Sequence, residues 1–463
     1  MDTQFLPTPQ TLLRYDQAGP RYTSYPTADR FVEAFGEDDY RAALMRRSGT
    51  AFGKLTPLSL YVHIPFCESL CYYCACNKII TKHHERATTY LDYLAREVAL
   101  HTAVLGKRQK VTQLHLGGGS PTFLNAQELE RLMVLLRENF DIQAGAEMSI
   151  EVDPRTIAPS MLETLHLLGF NRLSLGVQDY EPQVQQAVHR VQSPQLVQSL
   201  LDAARARGFE SVNFDLIYGL PKQTLVSFER TIDQVIAQRP DRIAVYAYAH
   251  LPVRFKPQRR IHTEDLPASS DKLQMLITAQ HKLLQAGYAY IGMDHFALPS
   301  DELAVAQRMG HLHRNFQGYS TQPDCDLLAL GVSSIGRMGA TYHQNAKTLE
   351  EYYDALDHDR LPVVRGLALS RDDLVRRAII MALMCQGQVL FEEINQAYLV
   401  DFQRAFAREW EALAELEEDG LVSTDTQGID VTPKGRFLVR AIAMVFDRYL
   451  QADLDRSRFS KII

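Results

Sequence analysis

The feature that most constrains the fold is an alternation of short apolar runs with amphipathic segments, from about residue 57 to residue 250. Each run is almost continuously apolar, as expected of a strand that is buried on both faces. The six runs are LSLYVHIPF, VTQLHLGGG, EMSIEVDP, RLSLGVQDY, SVNFDLIYGLP and DRIAVYAYAH. Segments between them, such as AQELERLMVLLRENF, place apolar residues at helical spacing. The alternation predicts an α/β fold with a parallel sheet, a partial (βα)6-type TIM-like barrel.

Polar and small residues follow these runs, at the strand ends where a parallel barrel carries its functional groups. The stretch CESLCYYCAC follows the first run, and GGGSPT follows the second. The later runs end with or contain Glu151 and Asp153, Gln178 and Asp179, Asp215, and the segment 248–250. This repeated placement predicts one functional site at the carboxyl edge of the sheet.

The segments on either side of the predicted barrel differ from it in pattern. GPRYTSYPT, residues 19–27, is rich in turn formers and aromatic residues and has no period. The last 120 residues show a helix, a second helix, a hairpin with its turn at 426–428, and a helix, which predicts a mostly helical, winged-helix-like packing or lid domain. We expect an N-terminal arm with a helical segment over 1–50, a catalytic domain with its extension over 51–345, and an accessory domain over 346–463.

Composition excludes several classes of protein. The net charge of −7 argues against nucleic-acid binding, which usually needs a basic stripe. No apolar run reaches the roughly 18 residues that a membrane span requires, and the N-terminus lacks the layout of a signal peptide. We expect a cytoplasmic protein with no membrane or nucleic-acid partner, and a monomer because no coiled coil is evident.

Four of the six cysteines lie within ten residues, and three of them, Cys67, Cys71 and Cys74, have the spacing C-x3-C-x2-C. Thiolates are soft ligands that suit zinc or iron–sulfur clusters. A structural zinc site usually takes two separated ligand pairs, whereas these three ligands are local. Three thiolates on a [4Fe–4S] cube leave one iron open to another ligand. The residues that could complete a zinc site are His63, His83 and His84.

Longer strings around these cysteines resemble one enzyme family. C-x3-C-x2-C after a first barrel strand is similar to the signature of radical S-adenosylmethionine (radical SAM) enzymes. Over nearly its whole length the chain resembles the oxygen-independent coproporphyrinogen III oxidase family. The strings that carry this resemblance are GPRYTSYPT, YVHIPFCESLCYYCACNK, GGGSPTFLN, IEVDPR, RLSLGVQD, NFDLIYGLPKQT, YAHLP, GMDHFA, HRNFQGYST and the terminal FSKII.

The resemblance implies a [4Fe–4S] cluster held by Cys67, Cys71 and Cys74, with S-adenosylmethionine (SAM) on the open iron. In this family the reduced cluster cleaves SAM, and the resulting 5′-deoxyadenosyl radical takes hydrogen from the β-carbon of a propionate. Loss of carbon dioxide and of an electron leaves a vinyl group. Two propionates of coproporphyrinogen III react, which gives protoporphyrinogen IX for heme biosynthesis. The sequence identifies neither the electron donor nor the acceptor.

The resemblance also implies two bound SAM molecules. The glycine run can approach a ligand closely, and we expect its backbone N–H groups to be offered to a carboxylate. Carboxylate side chains suit an ammonium group or a ribose diol, and Arg190 suits a carboxylate through its planar fork. The implied SAM contacts are Tyr61, Tyr73, Gly118, Gly119, Ser120, Glu151, Gln178, Arg190, Asp215, Ala249, Gln317 and Ile335.

The substrate that the resemblance implies, coproporphyrinogen III, carries four propionates, so we expect cationic side chains to face the cavity. We also hypothesise that the arm closes the site through Arg21, Tyr22 and Tyr25. The candidate substrate contacts are Arg21, Tyr22, Arg259, Arg260, Arg308 and Arg314.

Other positions have less specific interpretations. We interpret Cys76 not as a cluster ligand but as a buried thiol or one next to the ligands, with a functional role in later chemistry as the alternative. We interpret Cys325 and Cys385 as packing residues. Ala75 stands where glycine is usual in the family, which would cost on the order of 1 kcal/mol if that position needs a positive φ. Two alternative functions are a related heme chaperone and a structural zinc protein. The chaperone class typically lacks the fourth cysteine and the arm, and this chain has both.

Overall fold

The computed structural model describes residues 7–48, 56–322 and 324–452. The strands are β1 (Leu58–Ile64), β2 (Phe66–Cys67), β3 (Ile79–Ile80), β4 (Gln109–Gly118), β5 (Phe140–Val152), β6 (Arg172–Gln178), β7 (Ser211–Tyr218), β8 (Arg242–Ala247), β9 (Ala289–Gly292), β10 (His295–Ala297), β11 (His313–Asn315), β12 (Gly318–Ser320), β13 (Asp326–Leu330), β14 (Ile335–Met338), β15 (Thr341–Asn345), β16 (Val363–Ala368), β17 (Gln388–Leu390), β18 (Val422–Thr424) and β19 (Gly428–Val431).

Helices connect most of these strands. The α-helices are α1 (Pro9–Arg14), α2 (Glu37–Ser48), α3 (Glu85–Leu105), α4 (Ala126–Asn139), α5 (Pro159–Leu167), α6 (Pro182–Ala187), α7 (Pro194–Ala206), α8 (Leu225–Gln238), α9 (Ser269–Gln285), α10 (Glu302–Arg308), α11 (Leu349–Asp357), α12 (Arg371–Cys385), α13 (Phe391–Tyr398), α14 (Phe402–Ala405), α15 (Ala407–Glu418), α16 (Val439–Met444) and α17 (Arg448–Ala452). Short 3-10 helices cover Ala28–Arg30, Pro121–Phe123, Lys256–Arg260, Thr263–Asp265 and Gly435–Leu438. Within these described ranges, no helix is both long and apolar enough to cross a bilayer.

The six predicted strands lie side by side in chain order and are all parallel. They are β1, β4, β5, β6, β7 and β8, at the centre of a twelve-stranded sheet with the order β16-β15-β14-β13-β1-β4-β5-β6-β7-β8-β10-β9. The prediction of an α/β fold built on a parallel sheet is therefore confirmed. One strand was not predicted as part of the barrel: β13 pairs with β1 and adds a seventh parallel strand.

Local sequence explains why the central strands and helices form. All residues of β1 are buried except the half-buried Tyr61, as expected for a strand covered on both faces. Helix α4 begins with a capping box in which Asn125 and Glu128 each accept from the other's backbone N–H. Helix α8 begins in the same way at Thr224 and Ser227. The apolar faces of these helices cover the sheet in one large core.

A second core, which we call the C-terminal core, is formed mainly by residues 375–450, with contributions from the arm and from residues between 273 and 319. Helices α12 to α15 surround a three-stranded sheet of order β17-β19-β18, whose strands pair antiparallel. The turn between β18 and β19 falls at residues 425–427, one residue from its predicted place. The predicted helical, winged-helix-like arrangement is therefore found.

Residues 19–27 of the arm are all buried or half-buried, so this segment is not an exposed loop. Tyr22 and Tyr25 have no solvent exposure and belong to the C-terminal core. The Tyr22 hydroxyl donates to Asp447 Oδ2 at 2.9 Å. The Arg440 guanidinium donates to the backbone carbonyls of Gly19 and Pro20. The arm thus joins the C-terminal helices to the rest of the chain.

Candidate active site

A cavity of about 290 Å³ opens at the carboxyl edge of the parallel sheet. All four clustered cysteines line it, together with the turn after β4 and polar residues from β5, β6 and β7. We call it the cysteine cavity. The predicted SAM contacts that line it are Tyr73, Gly118, Gly119, Ser120, Glu151, Gln178, Arg190 and Asp215.

The cysteines differ in exposure and in the groups around them. Cys67 and Cys71 are buried, Cys74 is half-buried and Cys76 is exposed. Burial raises the pKa of Cys67 to about 12, so a metal would have to displace its proton. A hydrogen bond with Cys76 lowers the pKa of Cys74 to about 6, and Lys78 adds to that effect. Ala75 does not adopt a positive φ, so the cost expected for alanine there does not arise.

Two arginines point at the sulfur of Cys71. Arg155 Nη2 lies 3.4 Å and Arg190 Nη1 3.5 Å from Cys71 Sγ. Both arginines also pair with Asp153, at 2.6 Å and 3.2 Å. Burial opposes ionisation of Asp153, but Arg190 and then Arg155 outweigh it and hold the pKa of that carboxyl below its usual range. The result is a fixed positive charge beside a cysteine sulfur, which favours a thiolate or a cluster sulfide.

The glycine turn after β4 is required for close packing. Gly118 has φ +115°, and a Cβ there would lie 2.6 Å from the ring of His63. A Cβ on Gly119 would lie 2.7 Å from the carbonyl oxygen of Phe66. Only glycine fits at these positions without displacing the neighbouring chain.

The backbone donors of this turn are used within the protein, contrary to the expectation that they are offered to a ligand carboxylate. The N–H of Gly118 donates to Glu151 Oε2 at 3.1 Å. The N–H groups of Gly119 and Ser120 donate to the carbonyls of Ile64 and Phe66, each at 2.8 Å. The turn therefore holds the start of the cysteine loop against β4.

Glu151 lies between the turn and an aromatic pair. Its Oε1 is 3.4 Å from His115 Nε2, and the His115 ring stacks on Tyr61 with centroids 5.9 Å apart. Burial opposes ionisation, but the hydrogen bond and charge of His115 hold the pKa of Glu151 below its ordinary value. Glu151 thus presents a carboxylate to the cavity, while Tyr61 lies behind it and does not line the cavity.

Asp215 and Gln178 complete the side of the cavity away from the cysteines. Asp215 accepts from Ser174 Oγ at 2.8 Å and from Asn213 Nδ2 at 2.9 Å. Burial raises the pKa of Asp215 to about 6. Gln178 has φ +67°, an uncommon backbone conformation for a residue other than glycine, and such conformations occur often at functional sites.

A second cavity, of about 150 Å³, adjoins the first inside the barrel. The two cavities share Glu151, Ser174, Asp215 and Tyr246. Gln317 lines the second cavity, and both polar atoms of its amide are buried without a hydrogen-bond partner among the described residues. Ala249 and Ile335, the remaining predicted SAM contacts, line neither cavity.

The substrate candidates divide into two groups. Arg21 lies over the ring of Tyr246 at 5.3 Å and pairs with Asp294 at 3.1 Å. Arg314 is only 6% exposed, and its Nε and Nη1 atoms have no hydrogen-bond partner in the described chain. Arg314 also donates to the backbone carbonyl of Arg21. The structure therefore brings these two arginines together near the second cavity.

The other candidates lie elsewhere. Arg308 is exposed at the end of α10. Arg259 and Arg260 are exposed beside the cysteine loop. Tyr22 is buried in the C-terminal core with its hydroxyl on Asp447. The predicted closure of the site by the arm is therefore supported for Arg21 alone, because Tyr22 and Tyr25 are buried in the C-terminal core.

Comparison with known proteins identifies the family. Residues 61–235 match the Radical SAM superfamily, and residues 369–438 match the HemN C-terminal domain. The oxygen-independent coproporphyrinogen III oxidase of Pseudomonas aeruginosa is 51% identical over 97% of both chains. This chain belongs to the oxygen-independent coproporphyrinogen III oxidase family. The relative of the same name from Escherichia coli is 50% identical, again over 97% of both chains.

A solved structure agrees with this family assignment. The coproporphyrinogen III oxidase of Escherichia coli, described as a radical SAM enzyme, aligns with a TM-score of 0.89. The alignment covers 93% of this chain and 98% of that chain. As a member of the radical SAM superfamily, this oxidase-family chain uses a [4Fe–4S] cluster and SAM. The cysteine cavity fits such groups, because four thiols, two arginines at a sulfur and three carboxylates surround one space. The zinc and heme-chaperone alternatives gain no support from these relatives.

Sequence reasoning missed several residues of this oxidase-family site. Arg155, His115, Lys78 and Tyr246 were not proposed, although each touches or lines the cysteine cavity or orients a residue that does. Arg155 stands within the quoted string IEVDPR, which is the signal that could have found it. His115 carried no such signal, because one histidine in a buried strand more often belongs to the core.

Proposed function

We propose that this chain catalyses the oxygen-independent oxidative decarboxylation of two propionate side chains of coproporphyrinogen III to vinyl groups, giving protoporphyrinogen IX in heme biosynthesis. The observation that carries the proposal is the cysteine cavity, where three cysteines face Glu151 and Asp215 at the carboxyl edge of a parallel sheet. When bound, the cluster and SAM supply the one-electron chemistry that begins hydrogen removal from a propionate.

Cys67, Cys71 and Cys74 would hold the cluster. Arg155 and Arg190 support this role because N–H donors at Cys71 Sγ stabilise negative charge on sulfur. The turn after β4 supports it as well, because it fixes the backbone of the cysteine loop at Ile64 and Phe66. These residues would position the cluster in the cysteine cavity.

The cavity-lining residues proposed for SAM have chemistry that matches its parts. Glu151 is held ionised by His115 and suits an ammonium group, while Asp215 suits a ribose diol. Arg190 would bind a carboxylate with its buried Nε, which has no partner among the described residues. We further propose two SAM molecules, with Gln317 and the second cavity serving the second molecule. The residues proposed to contact one of the two SAM molecules are Tyr61, Tyr73, Gly118, Gly119, Ser120, Ala249, Gln317 and Ile335.

Arg21 and Arg314 are the proposed propionate contacts. Two adjacent cations, one of them buried with unpaired N–H groups, attract a carboxylate strongly. Arg21 lies over Tyr246 and Arg314 lies over Tyr319, and both of these rings line the second cavity, which supports this role. Arg259 and Arg260, at the cysteine loop, are secondary candidates, and the positions of Tyr22 and Arg308 give those two residues no such support.

The remaining features of the proposal concern the molecule as a whole. We propose a cytoplasmic monomer with an arm over 1–50, a catalytic domain over 51–345 and an accessory domain over 346–463. Its negative charge supports the absence of a nucleic-acid partner. The reaction requires an electron donor for the cluster and an acceptor for the electron that leaves the substrate, and we propose both as external partners.

Anaerobic turnover tests the proposal. The purified protein with an intact cluster is supplied with coproporphyrinogen III, SAM and a reductant. We expect release of carbon dioxide together with methionine and 5′-deoxyadenosine, and formation of protoporphyrinogen IX. An intact cluster with no release of these products would contradict the assignment.

A further inference from the structure

A basic surface segment lies against the cysteine loop, outside both cavities. Residues 251–263 contain Arg254, Lys256, Arg259 and Arg260 and no acidic residue. All four side chains are exposed, and Val253 beside them is 92% exposed. This is a local reversal of sign in a chain whose net charge is −7.

The segment is fixed to the loop that carries the cysteines. Gln258, which is 1% exposed, donates to the carbonyls of Tyr73 at 3.0 Å and Ala249 at 3.2 Å. Arg260 donates to the Tyr72 hydroxyl at 3.2 Å, and its guanidinium lies over that ring at 5.1 Å. Tyr72 and Tyr73 occupy the positions between Cys71 and Cys74. The basic segment is therefore hydrogen-bonded to two residues, Tyr72 and Tyr73, that directly adjoin the proposed cluster ligands Cys71 and Cys74.

Two further cations, Lys347 and Arg365, lie near Arg254 and the cysteine loop. The side chain of Asn77 donates to the carbonyl of Lys347 at 2.9 Å. Burial and then the positive charges of Arg365 and Arg254 lower the pKa of Lys347, which shows that these three cations lie near one another. Residues 75–77 of the cysteine loop are exposed, and Asn77 among them contacts Lys347. The acidic groups near this surface are Glu68 in the loop, Glu351 near Lys347, Asp29 and Glu33 near Arg365, and Glu264 and Asp265 directly after the basic segment.

We propose that this basic surface, formed by Arg254, Lys256, Arg259, Arg260, Lys347 and Arg365, docks an acidic one-electron donor protein. The inference rests on the proposed function, because it takes Cys67, Cys71 and Cys74 as cluster ligands. One electron leaves the donor and one enters the cluster through the exposed part of the cysteine loop. No bond is formed or broken in this step, and no proton is transferred.

Charge complementarity favours a protein over a small substrate at this surface. Arg254 and Lys256 line neither the cysteine cavity nor the second cavity, so a propionate inside the site would not reach them. Clustered charge of one sign steers an oppositely charged protein and raises its association rate by about 10-fold to 10³-fold. A donor docked at this surface would lie beside the exposed residues 75–77 of the cysteine loop. This position would shorten the distance that the electron travels from the donor to the cluster.

The test uses an Arg254→Glu/Lys256→Glu double variant of the full chain with its cluster. Arg259 and Arg260 are left unchanged, because they are also candidates for substrate contact. The matched control is Lys107→Glu/Lys110→Glu, two exposed lysines at the start of β4, at the opposite edge of the sheet. The protein donor is reduced flavodoxin, an acidic flavoprotein, and the small reductant is reduced methyl viologen.

At low ionic strength we expect the double variant to bind flavodoxin about tenfold or more weakly, and its cluster to be reduced correspondingly slowly. The difference should shrink at high salt, where exposed charges are screened. Binding is measured by titration, and cluster reduction by stopped-flow absorbance. Turnover with reduced methyl viologen should be unchanged, and the control variant should behave as the parent does.

Two results would overturn the inference. One is unchanged flavodoxin affinity in the double variant at low salt. The other is an equal loss of turnover with both reductants, which would place these cations in substrate binding or folding. Failure of the proposed function gives a different result. The parent protein would then release no carbon dioxide with either reductant, while the flavodoxin titration would still compare the affinities of the parent and the double variant.

Discussion

Cys74 and Cys76 are two positions apart but lie in different surroundings. Cys74 is half-buried beside Lys78, whose ammonium donates to the Cys74 carbonyl at 3.1 Å. Cys76 is exposed, and its hydrogen bond with Cys74 raises the pKa of the Cys76 thiol. The thiol of Cys76 therefore favours its protonated form, whereas that of Cys74 favours the thiolate, the form that a metal ligand requires.

We expect Cys76→Ser to keep the cluster and Cys71→Ser to lose it. Serine retains the size and hydrogen-bonding capacity of Cys76, while loss of the Cys71 sulfur removes a ligand from a site that has three. Iron and labile sulfide are counted after anaerobic purification, with both variants prepared in parallel. Loss of the whole cluster in Cys76→Ser would show that the fourth cysteine is a ligand.

At the residue scale, sequence correctly placed the clustered cysteines at the carboxyl edge of the sheet, whereas the expected role of the glycine N–H groups was wrong. The spacing C-x3-C-x2-C is local and independent of the fold, so it could be read directly. Which backbone N–H groups remain free depends on the neighbouring strands. Gly119 and Ser120 donate to Ile64 and Phe66, which are more than 50 residues earlier in the chain, and no local pattern reveals such a contact.

At the element scale, the turn after β4 and the start of the cysteine loop behave as one unit. We expect Gly119→Ala to displace the chain at Pro65 and Phe66, because an added Cβ would approach the Phe66 carbonyl to 2.7 Å. The cost should be about 1–3 kcal/mol in the free energy of unfolding, with lower iron content. Urea unfolding and iron assay measure the two effects.

The control for this substitution is Gly36→Ala. An added Cβ at Gly36 meets nothing within 4 Å, so we expect a change of less than about 0.5 kcal/mol there. A full iron content in Gly119→Ala would show that the turn does not position the cysteine loop.

Glu97 links three elements at the edge of the barrel. This residue of α3 accepts from the Gly331 N–H after β13, from Asn345 Nδ2 in β15 and from the Tyr352 hydroxyl in α11. Burial raises the pKa of Glu97 to about 7. The folded protein therefore holds this proton more tightly than the unfolded chain does.

We expect the contribution of Glu97 to stability to fall as pH rises from about 4.5 to about 7. Below this window both states are protonated, and within it the folded state binds more protons, so the free energy of unfolding decreases with pH. The loss should be on the order of 3 kcal/mol. Urea unfolding of the parent and of Glu97→Gln at several pH values measures this loss of stability, because the glutamine side chain does not titrate.

Glu130→Gln, on the exposed face of α4, is the matched control. Its stability relative to the parent should change little across the same range of pH. If Glu97→Gln and the parent showed parallel pH curves, Glu97 would not titrate differently on folding.

Prediction from sequence was reliable for the long, strongly periodic elements. The six central strands and their helices followed from hydrophobic pattern, because each strand is buried on both faces. Strand β13 was not predicted as part of the parallel sheet, since LLAL is short and its pairing with β1 joins residues more than 260 positions apart. Long-range pairing of this kind leaves no local signal in the sequence.

At the scale of the whole molecule, the arm connects the two cores. Tyr22 is buried among residues of the C-terminal core and donates to Asp447. Burial raises the pKa of Asp447, while the hydrogen bonds from the backbone of Leu450 and from Tyr22 oppose that rise. Removing the Tyr22 hydroxyl would leave this carboxyl with one donor fewer.

We expect Tyr22→Phe to cost about 1–3 kcal/mol in the free energy of unfolding and to leave turnover of coproporphyrinogen III unchanged. The matched control is Tyr93→Phe, because the Tyr93 hydroxyl also donates to a carboxylate, that of Asp357, but at an exposed position. The control should cost less than about 0.5 kcal/mol. A loss of turnover without a loss of stability in Tyr22→Phe would restore Tyr22 as a substrate contact.

The arm as a whole is tested by a chain without residues 1–30. This deletion removes Arg21 from its place over Tyr246 and the tyrosines from the C-terminal core, so we expect both turnover and stability to fall. Full turnover in the shortened chain would contradict any role of the arm at the site.

The cysteine cavity also has a kinetic consequence. One cavity must serve two propionates that sit on different pyrrole rings of the same macrocycle. After the first vinyl group forms, the macrocycle has to turn before its second propionate can face the same reacting centre. Turning in place competes with escape into solvent, so a half-converted tetrapyrrole with one vinyl group should build up early in the time course, most of all when fresh substrate is in excess.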